Sequence, residues 1–195
     1  GKYLQGISLF DVAGHGVSAA LIGMLIKPIT SRLFRSMGNV PLNEIFRHVN
    51  INISREIKRL DNLISGILLR FHRGSVEYVN AGHPDLLLRT AADGKVVEVG
   101  PQDKKFRGEP IGVNISNILP EVIRLRLEKE DVLMLFTDGI IDSSNYANES
   151  FGMGRVMASL KTAPAGSARD ILNHLLERFF LFINLEAIRD DFTII

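Results

Sequence analysis

The spacing of apolar positions changes along the chain. An apolar run, Ile7 to Phe10, stops at Asp11 and enters a glycine-rich turn, Ala13-Gly14-His15-Gly16. From about Val17 to Met37, Leu21, Leu25, Ile29 and Leu33 recur at four-residue steps, which predicts a helix. Pro28 lies inside that pattern and predicts a kink or a split. Pro41 suits a first helical position. The stripe that follows, Leu42, Ile45, Phe46, Val49 and Ile53, predicts a second helix.

The middle of the chain reads as strands. Leu63 to Phe71, a turn at His72-Arg73-Gly74, and Val76 to Asn80 predict a hairpin. Leu86 to Arg89 and Val96 to Val99 flank Ala92-Asp93-Gly94-Lys95, and Asp-Gly between apolar runs predicts a second hairpin. Gly100 to Pro120 lacks periodicity and reads as a long loop with a short strand at most. Val122 to Leu127 alternates, with Arg124 and Arg126 opposing Ile123, Leu125 and Leu127. Val132 to Phe136 is a continuous apolar strand ending at Thr137-Asp138-Gly139. Ser167 and Asp170 have capping-box spacing ahead of a helix lined by Ile171, Leu172, Leu175, Leu176, Phe179 and Phe180. The aromatic cluster there reads as core, with Phe182 off the stripe and facing a partner. A short strand, Phe192 to Ile195, closes the chain. Antiparallel-type strands flanked by helices predict an α+β fold.

Composition narrows the class. Lys and Arg total 23 against 22 Asp and Glu, a net charge of +1, which argues against a nucleic-acid footprint. Apolar residues make up 46% of 195 positions, enough for the core of a single domain. The absence of cysteine excludes disulfides, thiolate metal sites and a thiol nucleophile, and it fits a reducing compartment. The longest apolar runs, Leu21 to Ile26 and Phe179 to Leu185, fall short of a membrane span. The expectation is a soluble, cytoplasmic protein.

Three apolar strands abut carboxylates: Asp11 after Phe10, Asp138 after Phe136-Thr137, and Asp190-Asp191 before Phe192. Hard divalent cations take oxygen ligands, commonly one or two carboxylates with waters. Two such ions about 3.5–4 Å apart can activate water and clamp a phosphoryl group without a protein nucleophile. Taken singly, each motif has a plainer reading: Asp138-Gly139 as a hairpin turn, Asp190-Asp191 as a solvated loop, His15 as structural. Gly14-His15-Gly16 could cradle a phosphate at a helix N-terminus, though it is no Walker A loop. His83 alone among the other histidines sits in a small-residue turn, Ala81-Gly82-His83-Pro84.

Together these segments resemble the metal-dependent type-2C serine/threonine phosphatases, in their bacterial SpoIIE/RsbU-like branch. The resemblance runs in order through Asp11-Val12-Ala13-Gly14-His15-Gly16-Val17-Ser18-Ala19-Ala20-Leu21, Tyr78 to Pro84, Gly108-Glu109-Pro110-Ile111-Gly112, Leu135 to Ile140, and Arg189 to Thr193. It implies an αββα sandwich, two antiparallel sheets packed face to face with helices outside. It also implies hydrolysis of phosphoserine or phosphothreonine in a regulatory protein, an anti-sigma-factor antagonist, in bacterial signalling. By resemblance Asp11, the Val12 carbonyl, Asp138 and Asp190 would bind two Mn²⁺ or Mg²⁺ ions. His15 falls at the place of a general acid, and Gly14, Gly16, Gly139 and Asp191 lie in the phosphate or metal vicinity. A sensor or receiver domain attached in the parent protein is the implied partner.

One departure stands out. The branch carries an upstream Gly-Gly-Asp motif, whereas the ten residues before Asp11 contain no acidic residue. The expectation is therefore a phosphatase-like domain over residues 1–195, N-terminally truncated and lacking its N-terminal strand or strands. A sheet edge uncovered in this way favours strand exchange in a homodimer. The competing reading is a catalytically inactive phosphatase-fold module that recruits or sequesters a signalling partner. A nucleotide-binding enzyme ranks third.

Overall fold

The computed structural model describes residues 4–14, 16–57, 63–101, 108–112, 119–184 and 190–195. In chain order the elements are β1 (Gly6–Val12), α1 (Val17–Ser36), α2 (Leu42–Ile57), β2 (Ile64–His72), β3 (Ser75–Ala81), β4 (Leu86–Arg89) and β5 (Val96–Val99). They continue with β6 (Ile123–Arg126), β7 (Val132–Met134), α3 (Gly139–Asp142), α4 (Gly152–Thr162) and α5 (Ala168–Ile183). The fold is α+β, with two antiparallel sheets and their helices. Two compact units partition it: Gly1–His83 with Gly100–Leu127, and Pro84–Val99 with Glu128–Ile195.

The first unit is a sheet in the order β1-β2-β3-β6, antiparallel throughout. Alternation decides which face takes the helices. Phe10, Val12, Ile64, Leu68, Val79 and Ala81 share a face, and on it α1 and α2 lay Ile22, Ile26, Leu42, Ile45, Phe46, Val49 and Ile53. Leu42, Ile45, Val49 and Ile53 are fully buried, each contributing about 1.5–3 kcal/mol of transfer free energy. The predicted stripe of the second helix is thus its core face.

The first helix departs from its predicted face. Ile22, Ile26 and Thr30 are buried, whereas Leu21 and Leu25 are exposed. The helix buries the neighbouring row at 22, 26 and 30, one position on from the predicted one, while Ile29 and Leu33 of the predicted row pack partly against the same core. Pro28 does not split the helix, which is continuous through Ser36. Its ring lies on the exposed side, where water can satisfy the carbonyl it frees. By length and composition α1 could also cross a membrane, a property that counting unbroken apolar runs misses. Here its Ile22–Ile26 face is part of the sheet's core.

The second unit is a sheet in the order β5-β4-β7 with α3, α4 and α5. Its core joins Leu87, Met134, Phe136, Ile140, Phe151, Val156, Leu160, Ile171, Leu175, Phe179 and Ile183. Phe151 stands edge-on to Phe179 and Phe182 at centroid distances of 5.3 and 5.4 Å. Phe182 also lies under the Arg155 guanidinium, 4.3 Å away, so it packs within its own unit; Phe180 is half exposed. The Ser167–Asp170 capping box forms as predicted. The final segment bridges to Phe136, and Leu135 and Ile195 exchange both backbone hydrogen bonds.

Candidate functional site

Asp11 lies one residue from the end of β1, directly opposite Ser65 of β2. Phe71 N–H donates to the Gln5 carbonyl and Ala13 N–H to the Leu63 carbonyl. Alternation then places the backbone groups of Ile7, Leu9 and Asp11 toward β2 and those of Gly6, Ser8, Phe10 and Val12 away from it. β1 is an edge strand among the described residues, so the Val12 carbonyl is not used by the sheet. This is a property the carbonyl needs if it is to bind anything else. Gly14 and Gly16 follow with φ of 96° and 82°, conformations open to glycine, and lead directly into α1. His15 lies outside the described residues.

Asp138 and Gly139 do not make a hairpin turn. Asp138 is the N-cap residue of α3, and Gly139 is that helix's first, buried residue. A Cβ on Gly139 would stand 2.3 Å from the Asp191 carbonyl oxygen, so the two acidic motifs meet here through backbone contact. Thr137 N–H donates to the Thr193 carbonyl at 3.0 Å, and Thr193 N–H returns a bond to Thr137 Oγ1 at 2.9 Å. Asp190 Oδ1 accepts from Asp191 N–H at 2.9 Å. The second unit therefore brings Asp138, Gly139, Asp190 and Asp191 together.

A further carboxylate joins them. Asp142, one helical turn after Asp138, has its pKa raised, by burial first and then by the charges of Asp138 and Asp190. No ion pair involves these three among the described residues. Their i, i+4 spacing was visible in Thr137-Asp138-Gly139-Ile140-Ile141-Asp142, but only a helix makes it meaningful, and the motif reads as a turn. As the side chains stand, no three Asp, Glu or His among the described residues are grouped closely enough to hold one ion.

Two clefts lie elsewhere. One of about 430 Å³ runs between the β1 edge and α1, lined by residues such as Gly6, Thr30 and Phe34. One of about 740 Å³ lies beside Arg89 and Asp131. Arg89 is already employed there, donating from Nη1 to the Leu160 and Ala163 carbonyls at the end of α4. None of the predicted site residues lines either cleft.

Comparison with known proteins gives these motifs a common setting. The sequence model of the Stage II sporulation protein E (SpoIIE) family matches residues 5–195. The phosphoserine phosphatase RsbP of Bacillus subtilis (strain 168) is 29% identical over 147 residues, 72% of this chain and 34% of RsbP. The chain thus spans about a third of that relative's length. In fold it is similar to the SiaA-PP2C domain of Pseudomonas aeruginosa, with a TM-score of 0.81 at 21% identity, covering 97% of this chain and 73% of that one. It is also similar to the catalytic domain of the serine/threonine phosphatase PstP in complex with two manganese ions. That TM-score is 0.68 at 13% identity, over 97% of this chain and 85% of that one. With the family match running through all five acidic and glycine-rich motifs, the chain belongs to the SpoIIE family.

Proposed function

We propose that this chain is a metal-dependent phosphatase domain that hydrolyses phosphoserine or phosphothreonine in a regulatory protein of bacterial signalling. The observation that carries the reading is the crowding of Asp142 by Asp138 and Asp190 with no paired cation among the described residues. Mutual repulsion of carboxylates is the condition a hard divalent cation relieves, and an all-oxygen donor set fits Mn²⁺ or Mg²⁺. Asp11, the Val12 carbonyl, Asp138 and Asp190 are the ligands we assign. When bound, such ions supply Lewis acidity toward a phosphoryl oxygen and acidify water.

The chain's own residues have simpler tasks. We assign to the start of α1, after Gly14 and Gly16, the orienting of an anionic phosphate, a task helix N-termini suit. Hydrolysis breaks the ester P–O bond, and water supplies the new oxygen on phosphorus. The leaving serine or threonine oxygen needs a proton, which we assign to His15, a group whose ordinary pKa suits acid catalysis near neutrality. The substrate class follows from RsbP, named as a phosphoserine phosphatase, and from the resemblance to enzymes acting on anti-sigma-factor antagonists. In the parent protein the domain is attached to a sensor or receiver domain and works in the cytoplasm.

The test is phosphate release from a phosphoserine protein with Mn²⁺ present. Asp11→Asn and Asp138→Asn should each reduce turnover by more than the roughly 100-fold that loss of an outer partner of a ligand can cost. Parental turnover in both variants overturns the assignment. A metal-free binding module would instead bind the phosphoprotein equally with and without Mn²⁺.

A further inference from the structure

Beside Asp11 stands a buried polar cluster that phosphate hydrolysis as described above does not use. Ser65 faces Asp11 directly across the β1–β2 ladder, so both side chains leave the same side of the sheet, with Cβ atoms about 4.5–5.5 Å apart. That side is the one opposite α1 and α2, because Phe10, Val12 and Ile64 occupy the helix-facing side. Ser65 Oγ lies 2.7 Å from Nδ1 of His83. The His83 residue is only 2% exposed.

The imidazole is held there from several directions. Asn80 Oδ1 accepts from His83 N–H at 2.8 Å, and Asn80 Nδ2 donates to the His83 carbonyl at 2.8 Å. The same Nδ2 donates to the Tyr78 hydroxyl at 2.9 Å, tying the turn to a fully buried ring. Gly82 takes φ of 68°, and a Cβ there would meet Pro110 Cγ at 2.6 Å. A turn fixed this firmly delivers one ring nitrogen to one serine. The serine it meets is the cross-strand partner of Asp11, one residue from the end of β1.

We propose that His83 and Ser65 are positioning residues for Asp11. With the proton on Nδ1, His83 donates to Ser65 Oγ, and the hydroxyl hydrogen is left to donate to the Asp11 carboxylate. The chain fixes the carboxylate's rotamer before any cation arrives, the role that outer hydrogen bonds play for ligating carboxylates. The inference rests on Asp11 being a metal ligand, the reading proposed above.

The experiment uses the whole chain and Mn²⁺ alone, read by titration calorimetry, with melting of the metal-free protein as a second readout. Ser65→Ala should weaken Mn²⁺ binding about 10-fold, the lower end of the range for such outer partners, while metal-free melting stays near the parent. Ser65→Thr, which keeps the hydroxyl, should restore the affinity. His83→Asn, which keeps a polar group near the Nδ1 position, should bind Mn²⁺ more tightly than His83→Leu. Adding His83→Leu to Ser65→Ala should weaken binding little further, because both act through one chain. A purely structural cluster would lower melting and leave affinity unchanged, which overturns the proposal. Loss of binding in Asp11→Asn with parental affinity in Ser65→Ala and His83→Leu overturns the positioning role alone. Parental affinity in Asp11→Asn overturns the ligand assignment, and the positioning role falls with it.

Discussion

Replacing Arg70 by alanine should destabilise the first unit by about 3–4 kcal/mol, through a carboxylate far from the acidic motifs. Glu77, on β3, has a side chain only 9% exposed, and Arg70 beside it is 11% exposed. Arg70 bonds Glu77 Oε2 through both Nε, at 2.9 Å, and Nη2. Its Nη1 donates to the Gly38 and Val40 carbonyls, tying the α1–α2 connection to the sheet. Burial by itself would raise the Glu77 pKa, but hydrogen bonds from Arg70, His72 and Arg124 together outweigh it and hold the carboxyl below its ordinary value. Stripping one partner from such a buried pair costs about 3–5 kcal/mol. Arg124, 73% exposed, retains a 3.1 Å bond to Glu77 that solvent screens to about 0–1 kcal/mol, which trims the cost toward the lower end. For a chain of this size each kcal/mol moves the melting temperature by about 2–4 °C, so a fall of about 6–16 °C is expected at neutral pH.

The pH dependence carries its own sign. A depressed carboxyl pKa adds stability above the ordinary value of 4.5, and that stability is lost as pH falls through the lower folded value. The gap between parent and Arg70→Ala should therefore close on acidification below about pH 4.5. Melting followed by circular dichroism from pH 7 to pH 3 measures both effects. A fall under about 3 °C at neutral pH, or a gap that widens in acid, refutes the argument.

Three smaller perturbations follow from single contacts. Gly82→Ala should lower stability by about 1–3 kcal/mol, because φ of 68° and the Pro110 ring both oppose a Cβ, and calorimetric melting would register it. Ser167→Ala removes the α5 capping box and should cost about 1 kcal/mol, readable in a urea titration. Asp142→Asn should raise the metal-free melting temperature by about 1–2 °C by relieving partial desolvation and repulsion from Asp138 and Asp190, both weakened by solvent; a decrease in melting would contradict that reading.

Much of this architecture could be read from the sequence, because local patterns and tertiary packing agree in its core elements. The Leu42 to Ile53 stripe, the two hairpins and the Ser167–Asp170 cap each state their structure within a few residues. The α4 helix escaped, since Gly152 and Gly154 open it and its fully buried apolar residues are Val156 and Leu160 alone. Asp138-Gly139, taken singly a turn signal, here starts a helix, and the Asp191 backbone leaves no room for a Cβ at Gly139. The Ser65–His83 bond was out of reach, since it joins residues 18 positions apart and depends on strand register. The aspartates proposed as ligands, by contrast, stand out in the sequence beside apolar runs, and resemblance to the family's motifs singled them out.

The most direct test of the central claim is Mn²⁺ uptake by the chain, titrated calorimetrically for the parent, Asp11→Asn and Asp138→Asn. Specific binding by the parent, severely weakened in each variant, is the expected result. Equal uptake by all three proteins would contradict the assignment of these aspartates as ligands.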